Sequence, residues 1–102
     1  MIVIGKYKEI YNDDNLPTIF KNISDKEHKY KQKILNYLKS FEPSAVSPSR
    51  LRDVVSGDII DIPLTFTEDD RYAWRSDIVY YFEKYNLTLP ENFINDVMKK
   101  LA

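Results

Sequence analysis

The sequence predicts a mainly α, small single-domain protein spanning residues 1–102, with four to five helices and one short β-hairpin near residues 59–74. Three observations predict it. The stretch from Trp74 to Leu101 carries two successive runs of helical periodicity, a third run lies between Ser24 and Phe41, and between Ile60 and Phe66 the period switches to two. Helices put residues three and four apart on one face and strands put alternate residues there, so the switch marks a change of element.

The Trp74–Leu101 stretch organises the rest. Trp74, Ile78, Tyr81, Phe82 and Tyr85 follow helical spacing, and Asn86 behind them tolerates the left-handed conformation that closes many helices. Thr88-Leu89-Pro90-Glu91 reads as a capping box with Pro in the first turn. Phe93, Val97 and Leu101 then recur every four residues, with Lys99 and Lys100 placed to suit the exposed carbonyls of a last turn. The spacing predicts two helices joined by a tight, Pro-marked corner.

Residues 1–11 fit either a strand, through Ile2-Val3-Ile4, or a helix, through Val3, Tyr7 and Tyr11. After the polar turn 12–15, Leu16, Ile19, Phe20 and Ile23 predict a short helix. Ser24-Asp25-Lys26-Glu27 is a capping-box pattern for a long helix to Phe41, with Tyr30, Ile34, Tyr37, Leu38 and Phe41 as its apolar stripe. Residues 43–50 form a Ser/Pro connector, and Ser47-Pro48 predicts a helix that buries Leu51, Val54 and Val55 before Ser56-Gly57. Ile60, Ile62, Leu64 and Phe66 then alternate as a half-buried strand, an edge because Pro63 cannot donate to a ladder. Glu68-Asp69-Asp70 turns it into a hairpin with Arg71-Tyr72-Ala73-Trp74; a helix from Glu68, capped by Thr67, is the less favoured alternative.

Composition narrows the functional classes. A 43% hydrophobic, 30% charged chain of this length has the make-up of an unaided globular domain. There is no Cys, which excludes a disulfide scaffold, a thiol nucleophile and a thiolate zinc site, and fits a reducing, cytoplasmic location. No signal peptide or membrane span is expected, and two Gly argue against a phosphate-cradling loop. His28, the single His, has no orienting partner or nucleophile near it in sequence, and Asp13-Asp14 and Asp69-Asp70 lack calcium-loop spacing. No catalytic residue, metal site or cofactor is therefore assigned, and an enzyme is not expected.

Charge is more informative. Residues 1–52 hold ten Lys/Arg against six Asp/Glu, and residues 53–102 hold five against ten. Asp53, Asp58, Asp61, Glu68, Asp69 and Asp70 fall within eighteen residues free of Lys and Arg. Such a run suits a basic partner, whose approach would relieve the self-repulsion; the plainer reading is a solvated loop that caps helices or pairs with local arginines. Eight tyrosines add amphipathic contact area. The partner-binding residues expected are Asp58, Asp61, Glu68, Asp69, Asp70, Tyr72 and Tyr80. The alternative is a small nucleic-acid-binding or regulatory module using Lys26, Lys29 and Lys33 on the Lys-rich helix 25–41, although Tyr30 and Tyr37 are expected in the core there.

Trp74-Arg75-Ser76-Asp77, Tyr80-Tyr81, Glu83-Lys84-Tyr85-Asn86, Leu89-Pro90-Glu91 and Phe93 together resemble the C-terminal half of small bacterial proteins, some of them similar to immunity partners of contact-dependent or polymorphic toxins. The resemblance implies a non-enzymatic, stoichiometric inhibitor of one cognate basic toxin domain, often a nuclease, with no small-molecule substrate and no membrane partner. The acidic run would then stand in for the phosphates a nuclease binds.

Overall fold

Leu64-Thr65-Phe66-Thr67-Glu68 is β-favouring, and it forms the interior of a sheet. The computed structural model describes residues 1–102 and runs β1 (Ile2–Val3), α1 (Lys8–Tyr11), a 3-10 turn (Ile19–Lys21), α2 (Lys31–Lys39), β2 (Ala45–Ser47), β3 (Leu51–Arg52), β4 (Ile59–Ile60), β5 (Leu64–Glu68), β6 (Tyr72–Arg75), α3 (Ser76–Tyr85) and α4 (Glu91–Leu101). A four-stranded sheet has the order β1-β6-β5-β2, and β3 and β4 form a separate two-stranded ladder. The architecture is thus mixed α/β, which corrects the mainly helical expectation.

The correction has identifiable causes. The hairpin between β5 and β6 forms as expected, antiparallel with Thr67 opposite Trp74. It then recruits β1, which pairs in parallel with β6, and β2, which pairs antiparallel with β5. Recruitment makes β5 central; the expected edge at Pro63 is wrong because Pro63 precedes the strand and removes no ladder bond. The chain bends at Ile62, which is exposed; Ile60 and Leu64 are buried together with Leu51, whereas Phe66, on the same strand face as Leu64, lies beyond that small cluster and is exposed. A single period of two across the bend had put all four on one side.

One helix expected from the sequence is absent and two are shortened. Residues 47–55 form β2, β3 and a turn, with no helix after Ser47-Pro48. The Ser24 cap does not start a long helix: its Oγ accepts the Lys26 N–H locally at 3.1 Å, and α2 begins only at Lys31. Ser and Thr side chains compete with helix propagation in this way. The Leu16–Ile23 segment shortens to the 3-10 turn capped by Thr18, and residues 1–11 hold both a strand and a helical turn.

The C-terminal pair stands, with altered ends. Trp74 belongs to β6, and α3 starts at Ser76, whose hydroxyl accepts from Thr65 N–H (2.9 Å) and donates to the Pro63 carbonyl (2.8 Å) instead of capping. Asn86 closes α3 at φ 55°. The Thr88–Glu91 capping box does not form, and Pro90 precedes α4 without a side-chain cap. Helix α3 packs against β5, β6 and α2, and α2 also meets α4, so these helices cover one sheet face. Between the layers, Tyr37, Phe41, Tyr72, Trp74 and Phe93 meet in edge-on and tilted pairs with centroids 5.0–6.4 Å apart. The outer sheet face keeps Phe66 exposed at 41%.

Candidate functional site

The acidic run divides into an inward and an outward set. Asp53, at the end of β3, is fully buried. Its Oδ2 accepts the Tyr80 and Tyr85 hydroxyls, each at 2.6 Å, and its Oδ1 accepts Val55 N–H (2.8 Å) and Ser56 N–H (3.0 Å). Burial works to raise the Asp53 carboxyl, but these hydrogen bonds outweigh it and hold the carboxyl at about 2. Burial and the bond to Asp53 push Tyr80 up to about 12. Tyr80 is half-buried and serves this internal hub.

Asp69 turns inward as well. Its side chain is 2% exposed; it accepts the Tyr37 hydroxyl (2.6 Å) and the Tyr72 and Arg71 N–H groups (2.6 and 2.8 Å), with Lys100 Nζ 3.7 Å away. The carboxyl lies below its usual range because these donors overcome its desolvation. Tyr72 is buried and donates to Asp96 at 2.5 Å, an oxygen shared with Arg71. Asp70 is exposed but pairs with Lys100 at 2.5 Å. Asp69 and Tyr72 therefore fasten the β5–β6 turn to α2 and α4 and present nothing to a partner.

Asp58, Asp61 and Glu68 remain. All three are exposed and none forms an ion pair. They are not one patch: Asp58 and Asp61 flank β4, while Glu68 ends β5, about 13 Å of strand beyond Leu64. The chain between the first two is unusual. In Asp58-Ile59-Ile60-Asp61-Ile62, Ile60 is buried, whereas Ile59 is 52% and Ile62 37% exposed. The segment offers two aliphatic side chains interleaved with two unpaired carboxylates. Neither isoleucine was expected as a contact residue, because periodicity had placed Ile62 in the core; the D-I-I-D-I pattern, carrying more apolar residues than one strand face can bury, was the available signal.

The Lys-rich segment also differs from expectation. Tyr30 is 38% exposed, just ahead of α2, with Lys29 and Lys33 Nζ 5.1 and 5.8 Å from its ring centroid. No group of three or more His, Asp or Glu is placed to hold a metal ion, and no helix is long and apolar enough to cross a membrane.

No family model matches this chain, and neither curated proteins nor solved structures provide a match. Fold and surface define its class: a small two-layer α/β domain whose distinctive exposed feature is an acidic and aliphatic segment.

Proposed function

We propose that this chain is a non-enzymatic protein-binding module that meets its partner through Asp58, Ile59, Asp61 and Ile62, with Glu68 as a more distant charge. In its most specific form the module is an immunity-type inhibitor acting in the cytoplasm on one cognate basic toxin domain. The observation that supports this is the exposure of Ile59 and Ile62 beside carboxylates that have no internal partner. Covering apolar area contributes about 25 cal/mol per Å² before the costs of association are counted. Free carboxylates around it steer a basic surface and speed encounter. Asp69 and Tyr72 are withdrawn from the contact set and Tyr80 is reassigned to the Asp53 hub.

The test is co-purification with the product of the adjacent reading frame, followed by association kinetics. Asp58→Lys with Asp61→Lys is expected to slow association roughly tenfold or more at low salt while leaving thermal unfolding in place. Unchanged kinetics would discard this surface.

A second reading has its own observation: exposed Tyr30 beside Lys29 and Lys33 suits base stacking next to phosphate neutralisation. It requires salt-sensitive oligonucleotide complexes that disappear with Lys26, Lys29 and Lys33 changed to Gln. A gel shift without a complex at low salt removes it.

A further inference from the structure

The Asn22–Tyr30 loop is tied to the α3–α4 corner before it reaches α2. Ser24 N–H donates to the Tyr85 carbonyl (3.0 Å), Thr88 N–H to the Asn22 carbonyl (2.7 Å) and Asn86 Nδ2 to the Ser24 carbonyl (3.0 Å). Past these ties the loop stands away from the corner and leaves a cleft of about 740 Å³. That lies within the range of roughly 300–1,000 Å³ common to small-ligand sites. Phe82, Leu87, Leu89, Ile94 and Met98 give it an apolar floor.

Its loop wall is cationic and polar. Lys26 and Lys29 line it, and neither pairs with a carboxylate. Glu27, also on this wall, is engaged by Lys31 at 3.6 Å, so it does not cancel them. His28 Nδ1 accepts the Tyr30 N–H at 3.0 Å, which places the proton of the neutral ring on Nε2, a donor. Glu91, a carboxylate, and Asn95 line the cleft from α4, whereas the cations come from the Lys26–Tyr30 loop. An anion entering here is drawn to the loop wall and repelled from Glu91, so its charged end has one preferred side.

We propose that this cleft binds a small organic carboxylate with an aliphatic body, its chain on the Phe82–Leu89–Ile94–Met98 floor and its carboxylate toward Lys26, Lys29 and His28. The backbone ties fix the loop against the α3–α4 corner, so little ordering opposes binding. The site shares no residue with the Asp58–Ile62 surface and stands or falls independently of it.

The experiment titrates the full chain with decanoate, and in parallel with decanol, following amide cross-peaks by NMR. Decanoate is expected to saturate one site and to shift peaks of His28, Asn86, Asn95 and Met98, with decanol weaker by roughly ten- to a hundredfold, the ratio for losing a charge-assisted contact. Lys26→Gln with Lys29→Gln is expected to weaken decanoate by a similar factor at unchanged melting temperature, and Asn95→Trp, on the exposed lip, to block the cleft. Absence of saturation overturns the proposal. So does equal affinity for decanol, an affinity unchanged by the two lysine substitutions, or binding that survives Asn95→Trp.

Discussion

Asp53 shows how a carboxylate in an acidic run can be structural. Four donors converge on it, two of them from tyrosines 27 and 32 residues further along the chain. Asp53→Asn keeps the shape but offers one acceptor oxygen and adds an N–H₂ facing groups that already donate, a loss of about 2 kcal/mol. For a chain of this size the melting temperature is expected to drop by roughly 10 °C in calorimetry. The pH dependence has a definite sign. The folded carboxyl sits at about 2, below its ordinary value of 3.8, so its stabilisation is present above that value and is lost as pH falls toward 2. The gap between wild type and Asp53→Asn in urea unfolding should be widest near neutral pH and narrow by about pH 3; a constant gap would contradict the hub. Tyr37, Tyr80 and Tyr81 move the other way, raised to about 12 primarily by burial. With their folded values above the unfolded one, the stability they confer holds below pH 10 and disappears as pH rises through about 12. A spectrophotometric titration is expected to show these three ionising later than exposed tyrosine. None of this was legible in the sequence, because charge can be counted along a chain but the donors arrive from elsewhere in the fold.

At the scale of elements, legibility depended on whether local chemistry or tertiary pairing decided the outcome. Helices α3 and α4 and the left-handed Asn86 were readable because each helical run keeps one period over its length, although the N-terminal caps read for them do not form. The hairpin was readable for the same reason. Strands β2 and β3 were not, and β1 was one of two open alternatives: all three are two or three residues long and exist because a partner strand is present. The Ser24 capping box misled because its side chain closes a turn on itself. Two substitutions test the element-level account. Gly5, just past β1, has φ 81°, and a Cβ there would lie within 3.0 Å of three atoms of buried Ile78. Gly5→Ala is therefore expected to cost about 3 kcal/mol or more in chemical denaturation, from strain and overpacking together. Asn86 combines φ 55° with bonds to Lys31 and Ser24. Asn86→Ala should lose more stability than Asn86→Gly, by roughly 1 kcal/mol, because only Gly restores the backbone freedom. Equal losses would mean that the side-chain bonds carry the whole effect.

For the whole molecule, the uneven charge was legible and its disposition was not. Folding uses Asp53 and Asp69 internally and pairs Asp70 with Lys100. It leaves Asp58 and Asp61 free beside two exposed isoleucines, with Glu68 remote from them. The expected seven-residue contact surface contracts accordingly, and Ile59 and Ile62 join it. The helices cover one side of the sheet, and both the acidic segment and the Lys26–Tyr30 loop remain open to solvent. The most direct measurement is the association rate of this chain with the basic partner domain proposed for it, taken across a range of ionic strength for wild type and for the Asp58→Lys, Asp61→Lys variant. The rate for wild type should fall steeply with salt, and the variant should start lower and respond weakly. A rate indifferent to both salt and substitution, or no complex at all, would contradict the claim that this acidic and aliphatic segment is where the protein acts.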